Sequence, residues 1–278
     1  MKKIGIIGFS TASQSRKTDA FTDLHTITSK TFINEDMYVR GNITLGEFFG
    51  QVMATGVAPK TSQPATGEIV EVYNEMLTKY NDIIIIAPRK ELSGTYQNSV
   101  LAVSMLDEKL AKRINVVEVN CVGMVETLCT ERAISLIHKD TKVKDIVKEI
   151  TSFSNSMTTF AFPGSLKFLK LSGRVSGSSA FIGEILNMKT AVKVTNEYVK
   201  VDHKGRGEKS CLKYINNQIK ELKPTHACIT DIKSDKDFLE DMVALIEKHA
   251  IEVYFTEEAD IVTATHFGPS SFGVTFYK

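Results

Sequence analysis

Two hydroxyl-rich turns bracket one strongly apolar segment of this chain. Thr61-Ser62-Gln63-Pro64 precedes it, Leu92-Ser93-Gly94-Thr95-Tyr96 follows it, and Asp82-Ile83-Ile84-Ile85-Ile86-Ala87-Pro88 runs between them. Each turn leads into helix-like sequence. Each therefore offers Ser/Thr hydroxyls and free backbone N–H groups where an anion can be held. The same residue types also serve as ordinary helix caps, and Ser93 fits that role. Gly94 argues for more, because glycine in a first turn costs stability and close approach to a ligand would explain it. Neither turn is a phosphate loop, so the expected guest is a small anionic head group held without a basic clamp.

Three further stretches carry candidate chemistry. Thr265-His266-Phe267-Gly268-Pro269-Ser270-Ser271 places an imidazole after a strand-like run, where it can hydrogen-bond from a loop. Gly173-Arg174 and Lys204-Gly205-Arg206-Gly207-Glu208-Lys209 are basic loops, a pattern that more often marks a solvated face. A Ser/His pair invites an alternative reading as an enzyme acting on acyl or small carbonyl substrates. Ser93 lacks the flanking glycines of a nucleophile elbow, however. Gly5-Ile6-Ile7-Gly8-Phe9-Ser10 lacks the third glycine of a dinucleotide loop, and no P-loop sequence occurs.

The elements that must position these residues read as α/β. Lys3–Ile7, Ile83–Ala87 and Ile114–Val119 are strand candidates, and the isoleucine run has the composition of a parallel strand buried on both faces. Leu45–Thr55, Thr66–Tyr80, Leu92–Leu110, Val125–Lys139 and Val143–Phe153 read as helices. This alternation predicts a parallel sheet covered on both sides. The second half is less regular. Thr158–Ala161 reads as a strand, Ser165–Leu171 as a short helix, and Val192–Thr195 with Tyr198–Val201 as a hairpin. Glu208–Leu222 and Asp237–Lys248 read as helices, and His226–Asp231, Glu252–Phe255 and Ile261–Thr265 as strands. A boundary between Phe153 and Gly164 divides the chain into a parallel-sheet domain, residues 1–157, and a mixed α/β domain, residues 158–278.

Composition excludes several classes. A formal net charge of +1, from 34 Lys+Arg against 33 Asp+Glu, gives no electrostatic case for nucleic acid. Cys121, Cys129, Cys211 and Cys228 are scattered, without metal-ligand spacing, and are expected as buried thiols. The apolar run after Met1-Lys2-Lys3 is too short for a secretory leader, and no window suits a membrane span, so a cytoplasmic location is expected.

Taken in order, these pieces resemble the DegV family of bacterial fatty-acid-binding proteins, the lipid-carrying subunits of fatty acid kinase. The matching segments are Thr61-Ser62-Gln63-Pro64 with Gly67-Glu68, Leu92-Ser93-Gly94-Thr95-Tyr96, Leu166-Lys167-Phe168-Leu169-Lys170 with Gly173-Arg174, Lys204-Gly205-Arg206-Gly207 and Thr265-His266-Phe267-Gly268-Pro269. The resemblance implies a two-domain α/β fold with one long-chain fatty acid buried between the domains. It implies a carboxylate held at Thr61, Ser62, Ser93, Gly94 and Thr95, with His266 beside it. Arg174, Lys204 and Arg206 would lie near the head group or face the partner. That partner would be an ATP-dependent kinase subunit that phosphorylates the carboxylate to an acyl phosphate for phospholipid synthesis. The chain itself would be non-catalytic and need no cofactor. Departures from the family pattern fall at Gly8-Phe9-Ser10-Thr11, Arg89-Lys90-Glu91, Asn120-Cys121 and Lys189-Thr190. They leave the carboxylate turns intact and bear on the shape of the chain pocket.

On this reading a tail of about 15 methylenes contributes on the order of 12 kcal/mol before association costs. A hydrogen bond to a charged head adds only about 1.5–3 kcal/mol. The tail would set affinity, and the hydroxyls would set orientation. Hydroxyl donors, unlike a bidentate arginine, leave one carboxylate oxygen free to attack a phosphoryl group. Ligand exchange requires transient contact with a membrane surface, for which residues 172–183 and Lys204–Lys213 are the candidates.

Overall fold

The computed structural model describes residues 3–164, 166–175, 188–256 and 259–278. Two sheets organise it. The first is parallel, in the order β2-β1-β6-β7, from β1 (Ile4–Phe9), β2 (Leu24–Ile27), β6 (Asp82–Ala87) and β7 (Ile114–Glu118). The second is mixed, in the order β10-β9-β8-β13-β11-β12. It is formed by β8 (Thr158–Phe162), β9 (Met188–Val194), β10 (Val199–Arg206), β11 (His226–Ile232), β12 (Glu252–Phe255) and β13 (Ser271–Tyr277). A small antiparallel sheet, β4-β3-β5, joins β3 (Lys30–Ile33), β4 (Asp36–Tyr38) and β5 (Lys60–Ser62).

The parallel sheet is buried on both faces, as the isoleucine run requires. Side-chain alternation splits it between two cores. Ile6, Ile84 and Ile86 pack with α6 (Met124–Ile137) and α7 (Val143–Ser156). Ile7, Phe9, Ile83 and Ile85 pack with α3 (Thr66–Lys79) and α4 (Thr95–Ser104). Helix α6 is buried almost all round, from Met124 through Thr130, because it lies between the two sheets. On the mixed sheet, Phe160, Ile229, Val274 and Phe276 face α9 (Glu208–Leu222) and α10 (Lys236–Glu247). The opposite face turns toward α6 and the parallel sheet.

Local sequence accounts for most helix ends. Helix α2 (Leu45–Thr55) starts with a reciprocal Thr44/Glu47 capping box and stops at Gly56. Helix α9 buries Cys211, Ile215 and Ile219, one residue per turn. All four cysteines are free and buried, as expected.

Several expected elements differ. Ile261–Thr265 is no strand but part of α11 (Ile261–Phe267). The Asp260 carboxylate caps it by accepting from Val262 N–H at 2.8 Å, and packing against α2 and β3 outweighs the β-branched composition. Leu92–Leu110 is broken into α4 and α5 (Glu108–Ala111), and Gly94 rather than Ser93 occupies the N-cap. Thr61 and Ser62 end strand β5 instead of forming a turn. Lys204 and Arg206 belong to β10, paired with Thr190 and Met188, and are not in a loop. Strand β13 was not expected at all, although it lies at the centre of the mixed sheet.

Candidate functional site

A deep cavity separates the two sheets. Its floor is a cross-strand row on the mixed sheet: Val192 of β9 beside Ala161 of β8, then Gly273 of β13, then Thr230 of β11. The middle of that row carries a methyl group and a hydrogen, and this makes the trough. A Cβ on Gly273 would lie 2.7 Å from Met124 Cε, so the bare glycine lets the Met124 methyl sit against the floor where α6 crosses. Leu92, Val122 and Met124 close the cavity from the parallel-sheet side, and Leu169 and Val175 from α8 (Leu166–Ser172) and beyond. The space between the walls is about 1200 Å³ with its mouth included.

Polar groups gather where β5, the β6–α4 loop and α11 meet. Thr61 Oγ1 lies 3.1 Å from His266 Nε2, across 205 residues of sequence. Ser93 Oγ accepts from Thr95 N–H at 3.3 Å and lies 2.8 Å from Thr95 Oγ1. When the Thr95 hydroxyl donates in this contact, the Ser93 hydroxyl proton is left to point into the cavity. Gln63 folds over Gly94: a Cβ there would run into the Gln63 side-chain amide. Asn98 Nδ2 donates to Pro64 O at 2.9 Å and ties the two segments together.

His266 is neutral at pH 7. Burial, then the positive charge of Arg174, pulls its pKa down to about 4. A neutral imidazole with its proton on Nε2 donates to Thr61, which then donates its single hydroxyl hydrogen to a cavity anion. Arg174 lines the cavity, its Nη1 donating to Ser172 O at 2.6 Å.

Of the sequence candidates, Thr61, Ser62, Ser93, Arg174 and His266 all line this cavity. Gly94 and Thr95 stand behind its wall, one making room for Gln63 and the other supporting Ser93. Lys204 and Arg206 are exposed on β10 and are not among the lining residues. Part of the expected membrane-facing segment, residues 176–183, lies outside the described residues. Sequence reasoning missed a second set of lining hydroxyls: Thr11, Ser13, Ser29, Thr230 and Thr263. The Ser10-Thr11-Ala12-Ser13 run after β1 was a visible signal for two of them. Thr230 and Thr263 had none.

Arg89, one of the departures, is buried and joins the two halves. Its Nε meets Glu91 Oε2 at 2.7 Å, and its Nη1 donates to Asn120 O at 3.5 Å and to Thr195 O in the β9–β10 turn. Among the described residues no cluster of His, Cys, Asp or Glu is arranged to hold a metal ion, and no helix is long and apolar enough to cross a membrane.

Comparison with known proteins agrees with this architecture. A DegV domain-containing protein of Staphylococcus aureus is 27% identical over 257 residues, covering 89% of this chain and 88% of its own. A fatty-acid-binding DegV protein from Thermus thermophilus superposes with a TM-score of 0.87 at 23% identity, covering 99% of both chains. The Fatty Acid Kinase (Fak) B3 protein of Streptococcus pneumoniae, solved with linoleic acid, superposes with a TM-score of 0.85 at 14% identity, again over 99% of both chains. At these identities the superpositions establish the fold. The family model described as "Uncharacterised protein, DegV family" matches residues 3–278, and on that span the chain belongs to the DegV family.

Proposed function

We propose that the chain binds one long-chain fatty acid in the inter-sheet cavity and presents its carboxylate to an ATP-dependent kinase subunit. One observation carries the reading: an apolar trough floored by Ala161 and Gly273 shares one space with a hydroxyl cluster that contains Thr61, Ser93 and a neutral His266. A fatty acid matches both parts. Its methylenes replace water along the trough, and its carboxylate meets O–H donors. The solved relatives described as binding fatty acids support the same ligand class. The kinase step rests on the likeness to the Fak B3 protein and on the chemistry of the head-group site. A cradle of hydroxyls leaves a carboxylate oxygen nucleophilic, and metal and γ-phosphoryl group come from the partner.

The alternative Ser/His enzyme needs imidazole on Ser93. The contacts here put His266 on Thr61 and Ser93 on Thr95, which favours the carrier. Mass spectrometry of a denatured extract of freshly purified protein tests the ligand: a stoichiometric fatty acid is expected. Protein that is empty and takes up no added fatty acid refutes the reading. Incubation with a fatty acid kinase subunit, ATP and Mg²⁺ tests the second half. Acyl phosphate should form only when both proteins are present.

A further inference from the structure

One buried carboxyl group stands outside the head-group cluster of Thr61, Ser93 and His266. Glu126, 1% exposed, sits in the first turn of α6. Its Oε2 accepts from Gly123 N–H at 3.0 Å and its Oε1 meets the Thr11 hydroxyl at 2.8 Å. Thr11, Gly123 and Met124 all line the cavity, so the carboxyl stands one hydroxyl behind its wall. Thr263, one turn before His266 on α11, donates to Thr11 O at 3.3 Å and straps this segment to the head-group end.

Helix capping alone does not explain the placement. Glu47 and Glu68 hold the same position on α2 and α3. Both are exposed, and hydrogen bonds from their caps or a lysine lower their pKa values. Glu126 goes the other way. Burial pushes it up to about 8, against the Thr11 and Gly123 hydrogen bonds and Arg40. The charged groups facing it are Arg40 and Asp260, and they are paired with each other at 3.2 Å. The nearby thiols, Cys121 at about 11 and Cys129 at about 12, stay neutral between pH 7 and pH 9.

Thr11 has a single hydroxyl hydrogen. When Glu126 is ionised, that hydrogen is held by the carboxylate and Thr11 shows a lone pair to the cavity. When Glu126 is protonated, the acid donates to Thr11 Oγ1, Gly123 N–H keeps its carbonyl acceptor, and the Thr11 hydrogen is free to face the ligand. We infer that Glu126 is the proton-linked group of the ligand site: its protonated form accepts the anion, so a Glu126 that is ionised takes a proton from solvent as an anion binds, and Thr11 turns from acceptor to donor. This rests on the fatty-acid reading above. No bond to the ligand is made or broken, and the proton offsets the incoming negative charge.

The test measures binding of radiolabelled palmitate, at monomeric concentrations, to delipidated protein by equilibrium dialysis. If only the protonated form binds, affinity falls about tenfold between pH 7 and pH 9. Glu126→Gln, which donates to Thr11 as the protonated acid does, should flatten that dependence and lose little affinity between pH 7 and pH 9. Calorimetry of the wild type in two buffers of different ionisation enthalpy should show uptake of about half a proton per palmitate at pH 8. This keeps the test open should the variant fold poorly. Palmitate binding with no pH dependence, the same dependence in Glu126→Gln, or zero proton uptake overturns the inference and leaves the carrier reading standing. No palmitate bound at any pH removes both.

Discussion

Ala161→Leu shortens the trough by an amount that can be worked out beforehand. Ala161 is buried at the centre of the cavity floor, flanked across the strands by Val192 and Gly273. Its side chain faces the cavity, so a longer one displaces ligand before it strains the sheet. Leucine adds three carbons. If each excludes one ligand methylene at about 0.8 kcal/mol, a tail that fills the trough loses about 2.4 kcal/mol, roughly 50-fold in affinity. An acid too short to reach Ala161 loses nothing. The assay is competition binding with a ladder of saturated acids against wild type and variant. The expected result is two curves that coincide for short acids and separate beyond one length, which also locates Ala161 along the bound chain. An equal loss at every length would mean the substitution damaged the fold or the head-group site. No loss at any length would mean the tail does not run over this floor. Either outcome refutes the trough argument.

Thr61→Val should behave oppositely. It removes the hydroxyl that meets His266 Nε2 at 3.1 Å, and the loss of about 1.5–3 kcal/mol should be the same for every chain length in that ladder. His266 predicts a pH dependence of stability. Its pKa falls from 6.5 to about 4 on folding, so the unfolded chain binds more protons between those values. Its contribution is complete above about pH 6.5 and is lost as pH drops toward about 4. The loss amounts to about 3 kcal/mol, which urea unfolding of wild type against His266→Gln should resolve. Arg89→Ala should lower stability by about 2–3 kcal/mol, because it strands the Asn120 and Thr195 carbonyls in a buried joint. The reduced denaturant midpoint should be accompanied by faster release of bound fatty acid.

Much of the frame was legible because it is local. The Ile83–Ile86 run announces a doubly buried strand, and the Phe48, Phe49, Val52 and Ile69, Tyr73, Met76 spacings announce helices α2 and α3. Where the reading failed, distant contacts decided. Ile261–Thr265 has strand composition, yet the Asp260 cap and packing on α2 and β3 make it a helix. Ser271–Tyr277 follows a Gly-Pro turn and carries a glycine in its middle, so its role as the central strand of the mixed sheet shows only in its pairing with β8 and β11.

The candidate site divides the same way. The sequence by itself determined the residue types at its polar end, because Thr61, Ser93 and His266 stand in short motifs whose chemistry is readable without coordinates. Tertiary structure decided which of those groups face the cavity. Ser93 lines the cavity while Thr95, two residues on, is fully buried behind it. It decided the state of His266, since burial and Arg174 keep the ring neutral. It also placed Ala161, Gly273 and Thr230 in one row from three strands and set Glu126 behind Thr11. The physical reason is that hydrogen-bonding capacity and hydrophobic period belong to residues and their near neighbours. Direction, desolvation and cavity depth arise only where segments far apart in the chain meet.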